Sequence, residues 1–279
     1  MLTAAQLKSL LRTHHLHLRK RLGQHHLVDG GVIGRLMDRV ALSKDDTVVE
    51  IGAGLGALTE PLAERVGCVV AVEVDAHIAA LLAERMAPWT NVRVVQEDIL
   101  EFPWGRHAGA MVVGAIPYHI TSPILLSLSE HRRLLRDGWL IVQKEVAARL
   151  RAKPGTKSYG RLSVLGQYSW DIRAVTDISR SAFFPQPEVD STCLHLRSHE
   201  RPPVDVADEA AYFDVVKAAF GHRRKTLANC LREFGGRRMS RAQVEALLRG
   251  LELPISVRGE ELSLEQFAAL SNHLGPLNR

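Results

Sequence analysis

The chain has 279 residues, 46% of them hydrophobic, with a mean hydropathy near zero. That composition supplies a buried core and excludes a disordered chain. It leaves room for one large domain, or for an α/β domain of about 190 residues with a small appendage. The net charge of +5 and pI near 9.3 favour a polyanionic partner, because phosphates attract Lys and Arg at long range, although many proteins of this charge have none.

Met1 to Leu18 is basic and His-rich, without the continuous apolar run or small-residue cleavage site of a signal peptide. Residues 31–42 place Val32, Ile33, Leu36, Met37 and Val40 at helical spacing. Thr47–Ile51 reads as a short buried strand running into Gly52-Ala53-Gly54-Leu55-Gly56, with a helix over 57–66. Further strands are expected at 68–74, 92–96, 110–113 and 139–143, with helical signals at 76–86 between the second and third. This alternation predicts a parallel sheet covered by helices. Residues 198–208 are polar and Pro-rich and read as a linker, followed by helical patterns at 209–234, 240–251 and 263–273. Cys68, Cys193 and Cys230 are far apart and form no CxxC pair, which argues against a zinc site or a disulfide framework and fits a reducing, cytoplasmic setting. No run of eighteen apolar residues suggests a membrane span.

The chemistry-bearing residues fall at strand ends, where open α/β sheets bind ligands. Glu50-x-Gly52-x-Gly54-x-Gly56 closes the first strand, and its glycines allow close backbone approach. Glu73 closes the second, placed to accept from ribose hydroxyls; Asp98 follows the third, placed to accept from an adenine amine. The glycine loop alone is ambiguous. Gly52, Gly54 and Ala57, with Glu73 about twenty residues on, also satisfy a loose dinucleotide pattern. That NAD reading leaves Asp98 and the fourth strand end unexplained. No Gly-Lys-Ser/Thr follows, so the loop is no P-loop.

The fourth strand ends in Ala115-Ile116-Pro117-Tyr118. Amino methyltransferases have a corner of the form Asn/Asp-x-Pro-Tyr/Phe here. An adenine amine is a poor nucleophile because its lone pair is delocalised into the ring. Acceptors aimed at its N–H groups favour a pyramidal, reactive amine, and a stacked aromatic holds the extruded base.

The stretches RKRLGQHHLVD, VVEIGAGLGALTEPL, VVAVEVD, QEDIL, IPYHITSPILL, VQKEVAARL, YGRLSV, AFFPQPEVDST, FGHRRKTLANCL and RGEELSLEQFAALSN occur in this order over about residues 19 to 275. In them the chain resembles the KsgA family of small-subunit ribosomal RNA adenine dimethyltransferases. The related resistance dimethyltransferases of large-subunit RNA share the first half. The resemblance implies a Rossmann-like S-adenosylmethionine-dependent methyltransferase domain over 1–200 and a small helical RNA-binding domain over 201–279. It implies no metal, and dimethylation of two adjacent adenosines near the 3′ end of 16S rRNA by a cytoplasmic monomer. His25, Leu27, Gly52, Gly54, Glu73, Asp98 and position 115 would bind the donor. Ile116, Pro117, Tyr118 and Phe183 would complete the catalytic site, with Tyr118 and Phe183 clamping the adenine.

Two positions depart from the family pattern. Ala115 stands where the motif has Asn, so one side-chain acceptor for the amine is missing; His26 stands where an apolar residue is usual. Ala115 keeps a second reading open, a ribosome-assembly factor with little or no catalysis. Arg19, Lys20 and Arg21 form one basic cluster, and His222, Arg223, Arg224 and Lys225 a second, with Arg237, Arg238 and Arg241 further on. These read as phosphate contacts that position RNA without reading its sequence.

Overall fold

The computed structural model describes residues 2–16, 25–221, 225–234 and 237–275. These form two compact units. The first takes the chain up to Ala147 and Asp171–Ser198; the second takes Ala148–Trp170 and the chain from His199 onward. The second unit therefore begins near the expected linker but also includes 148–170, a segment that the sequence reading kept with the first domain.

The first unit is organised by a seven-stranded sheet. Its strands are β1 (Thr47–Ile51), β2 (Cys68–Glu73), β3 (Val92–Gln96), β4 (Ala110–Ala115), β5 (Leu135–Gln143), β6 (Trp170–Ile178) and β7 (Ser191–Ser198), in the spatial order β3-β2-β1-β4-β5-β7-β6. The first five are parallel and β7 runs antiparallel to β5. Val48, Val49, Val69–Val72 and Met111–Val113 are almost fully buried. Strands buried on both faces carry unbroken apolar runs, which is why β1, β2 and β4 are legible as such. The chain builds outward from β1 through β2 to β3 and then returns to β4 on the other side of β1. Such reversals open a crevice beyond the carboxyl ends of the strands.

Several expectations need correction. The fifth strand starts at Leu135, not Trp139, and includes Arg136 and Asp137. Their charges are met inside the unit, with Arg136 on Asp46 at 2.5 Å and Asp137 against His195 at 3.3 Å. Strands β6 and β7 were not anticipated; β6 is half-exposed with polar residues along it, so its apolar signal is diluted. A helix over Ala4–Thr13 was also missed, although Thr3 and Gln6 form a capping box and Leu7 and Leu11 pack with Leu55, Ile78 and Leu81.

In the second unit, helices Glu209–Phe220, Arg241–Gly250 and Leu264–Leu274 agree with the helical periodicity. The single helix expected over 209–234 does not form. It stops at Phe220, a short helix covers Leu227–Cys230, and Glu233–Phe234 pairs antiparallel with Arg237–Arg238. Helix Arg161–Ser169 also belongs here, with the Tyr168 ring tilted against that of Tyr212 and its hydroxyl donating to Glu209. No described helix is long and apolar enough to cross a membrane.

The closeness of β1 and β4 rests on Gly114. A Cβ there would lie 2.5 Å from the Ile51 carbonyl oxygen. Gly114→Ala must push apart two central strands, so urea denaturation should show a loss of about 1–3 kcal/mol or more.

Candidate functional site

The carboxyl ends of β1 to β4 line one cleft. Its walls are Ile51, Gly52 and Gly54 after β1, Val72, Glu73 and Val74 from β2, Glu97–Leu100 after β3, and Ala115, Pro117, His119, Ile120 and Ile124 after β4, with His25 and His26. Including its open mouth the cleft holds about 890 Å³, within the range of small-molecule sites. Among the described residues, three of those lining the cleft are acids and none is Lys or Arg. That balance suits a cationic ligand better than a pyrophosphate.

Gly52 and Gly54 adopt φ of +66° and +56°, conformations that glycine enters at least cost. The turn points the Gly54 amide at Glu73, which accepts from it at Oε2 (2.9 Å) and from the Asp75 amide at Oε1 (3.0 Å). Each carboxylate oxygen keeps acceptor capacity for a further donor. Glu73 is only 6% exposed. Burial raises its pKa, against the opposing pull of the two amide hydrogen bonds. Asp98 is exposed; its Oδ1 accepts from the Leu100 amide at 3.0 Å, which leaves Oδ2 for another partner. Ile51, Val72, Ile99 and Ile124 give the cleft apolar walls. A diol acceptor, an amine acceptor and apolar faces are the donor set that an adenosyl group requires, so the residues fit S-adenosylmethionine. Among the described residues no group of three or more His, Cys, Asp or Glu is placed to hold a metal.

His25 Nδ1 lies 2.7 Å from the Pro185 carbonyl. Since a carbonyl only accepts, Nδ1 carries the proton, and in the neutral ring Nε2 is an acceptor. Its ring centroid is 5.3 Å from that of Tyr118, whose hydroxyl is 2.8 Å from Ser191 Oγ. Ile116 is buried, and no turn or loop amide among the described residues donates to its carbonyl. Of the expected residues, Leu27, Ile116, Tyr118 and Phe183 are not among those that line the cleft. Leu27 and Phe183 pair across a two-residue antiparallel ladder, are 3% and 5% exposed, and join the hydrophobic core instead of lining the cleft. Phe183 is thus placed as a core residue in this conformation, not as an open face for a base.

His26 fills the space over Gly54, where a Cβ would come within 2.7 Å of its Nδ1. Burial first, then the neighbouring His25, lowers its pKa to about 4, so the ring packs as a neutral aromatic. The departure from an apolar residue is accommodated by neutralisation, although its Nε2 is buried without a hydrogen-bond partner among the described residues.

The chain matches the family described as ribosomal RNA adenine dimethylase across residues 15–274. It belongs to that family. A ribosomal RNA small subunit methyltransferase A from Geobacillus kaustophilus is 39% identical over 99% of this chain and 97% of its own length. The protein of that name from Bacillus mycoides is 39% identical over 98% and 96%. Among solved structures, a dimethyladenosine transferase from Plasmodium falciparum superposes with a TM-score of 0.72 at 23% identity, covering 88% of this chain and 95% of that one. The 23S rRNA methyltransferase ErmE gives 0.64 at 29% identity, covering 89% and 98%. The fold is therefore the Rossmann-like one of S-adenosylmethionine-dependent methyltransferases.

For this adenine dimethylase family member, sequence reasoning missed Glu97, Ile99, Leu100, His119, Ile120 and Ile124 as cleft residues. Their adjacency to Asp98 and to the Pro-Tyr corner was the available signal. Of the basic positions, Arg19, Lys20, Arg21, His222, Arg223 and Arg224 lie outside the described residues. Lys225, Arg238 and Arg241 are exposed.

Glu50, the acid before the glycine loop, is 2% exposed and accepts from Thr59 Oγ1 at 2.5 Å. Burial, reinforced by the nearby Glu73, pushes its pKa up to about 8 from the ordinary 4.5. The folded chain thus holds a proton that the unfolded chain releases, and stability falls as pH rises between those values. Relative to Glu50→Gln, the wild type should lose stability steadily from pH 5 to pH 8.5 in urea titrations. A pH-independent difference would contradict this protonation.

Proposed function

We propose that the protein is an S-adenosylmethionine-dependent enzyme that dimethylates adenine N6 in the RNA of the small ribosomal subunit, acting as a cytoplasmic monomer on two adjacent adenosines near the 3′ end of 16S rRNA. The observation that carries the reading is the acid-lined adenosyl cleft running directly into the Pro117-Tyr118 corner. Glu73 would accept from the ribose hydroxyls, Asp98 Oδ2 from the donor's adenine amine, and Gly52 and Gly54 would let the chain approach closely; His25 would complete that wall, with Leu27 packed behind it in the core. S-adenosylmethionine supplies a methyl group on a cationic sulfur, and a cleft whose described lining has three acids and no Lys or Arg favours that charge.

At the reacting end Tyr118 would hold the target base, and the Ile116 carbonyl would accept one amine N–H. Ala115 offers no side chain for the second. The Phe183 ring would serve the base only by packing beneath the site. Lys225 of the second unit, and the Arg19–Arg21 and Arg223–Arg224 clusters of the sequence, would hold RNA through phosphates. Ala115 also favours an alternative, an assembly factor that binds the immature subunit with weak catalysis or none.

A tritiated methyl-transfer assay on immature small subunits separates these readings. Ala115→Asn should raise transfer about 100- to 1000-fold, the scale of one oriented hydrogen bond at a site of developing charge. Affinity for donor and subunit should stay unchanged. Equal rates would mean that the Ile116 carbonyl and Tyr118 suffice, and no transfer in either form would favour the assembly factor. Donor binding has its own check. By calorimetry Glu73→Ala should weaken S-adenosylmethionine by at least tenfold, since each hydrogen bond to a carboxylate is worth roughly 1.5–3 kcal/mol.

A further inference from the structure

The segment Ala148–Trp170 carries Arg149, Arg151, Lys153, Lys157 and Arg161 and not one Asp or Glu. Some exposed cations elsewhere are paired with carboxylates. Arg241 and Arg249 share Glu245, Lys144 meets Asp177, Arg173 meets Asp171 and Arg258 meets Glu260. Arg151, Lys153 and Lys157 are exposed and have no carboxylate within 4 Å among the described residues. Arg161 is half-buried, and its Nε has no hydrogen-bond partner among the described residues.

The backbone beneath these cations is held from several directions. Ser163 Oγ donates to the Arg149 carbonyl at 2.6 Å, and Gln167 donates to the carbonyls of Leu150 at 2.9 Å and Ala152 at 2.8 Å. The Gly155 amide donates to the Glu260 carbonyl at 2.7 Å, and the buried Tyr159 hydroxyl to the Leu262 carbonyl at 2.8 Å. Thr156 closes a turn on the Lys153 carbonyl at 2.7 Å. Side chains of one helix and backbone carbonyls of the 260–262 segment therefore fix a ten-residue loop whose own cations face water.

We propose that loop 151–160 is a rigid docking surface for the RNA sugar-phosphate backbone, with Arg151, Lys153 and Lys157 each neutralising a phosphate. This rests on the RNA-modifying reading above and adds a surface to it. Uncompensated like charges a few residues apart repel one another and are relieved by a polyanion. A loop already ordered loses little entropy on binding. Phosphate contacts of this kind set position and affinity without reading bases.

The test replaces Arg151, Lys153 and Lys157 together by Gln in the full chain. Binding to immature small subunits is then measured from low to high salt. Three lost phosphate contacts should make the slope of log affinity against log salt shallower by about two to three, and weaken binding at least tenfold near physiological salt. S-adenosylmethionine affinity and thermal unfolding should not change. Lys157→Gln alone, at an exposed side chain with no hydrogen bond or ion pair among the described residues, should make the slope shallower by about one and guards against misfolding of the triple variant. An unchanged slope with methyl transfer intact would overturn the docking surface and leave the enzyme reading standing. Wild type that neither binds nor methylates subunits would overturn both. If the triple variant lost binding to anionic vesicles and kept its binding to subunits, the loop would be a membrane surface and the proposal would fail.

Discussion

The pair of hydrogen bonds that Glu73 accepts from the Gly54 and Asp75 amides ties the site together. It joins the turn after β1 to the turn after β2 through one buried carboxylate. Without it the acid would be buried beside unsatisfied amides, at a cost of several kcal/mol. With it, the acid is held in place and still has lone pairs to offer. The positive-φ glycines exist to aim one of those amides, and the tight β1–β4 approach at Gly114 sets the opposite wall. The cleft is thus a consequence of how two strand ends are stitched.

Burial then divides the acids of this region by role. Glu50, deeper and bonded to Thr59, is driven to its neutral form, whereas Asp98 stands in water. Glu73 lies between, buried yet supported by dipoles. Three carboxyl groups at successive strand ends therefore act as a structural proton carrier, a held acceptor and a solvated acceptor. Environment makes that distinction, since the side chains are nearly identical.

The parallel strands were legible because double burial leaves an unbroken apolar run, and the strand-end acids because the alternation of strands and helices fixes where strands end. Strand β6 was not, because its exposed face breaks the pattern and its pairing partner is set by tertiary contact. The Arg136-Asp137 start of β5 was hidden for a related reason. Charged residues look like a turn until Asp46 and His195 are brought to meet them. Within the site, Glu73, Asp98, Gly52 and Gly54 fall where reasoning put them, but Phe183 and Leu27 go to the core. One-dimensional adjacency to a motif does not say which face of a two-residue ladder meets the cleft. His119, Ile120 and Ile124 were invisible in the same way, since only the turn after Pro117 decides that they face inward.

The His25–Pro185 hydrogen bond links residues 160 apart in sequence. One wall of the cleft therefore comes from the beginning of the chain and is latched by a segment synthesised much later. Contacts of such long range carry a large loop-closure cost and form slowly. During vectorial synthesis the glycine turn and Glu73 can pair early, but the His25 wall has nothing to latch onto until Pro185 has emerged. Ligand that requires the whole cleft binds only the finished unit and so stabilises it by mass action. In a chain cut short before residue 185 the parallel strands would all be present, and the wall would still lack its latch.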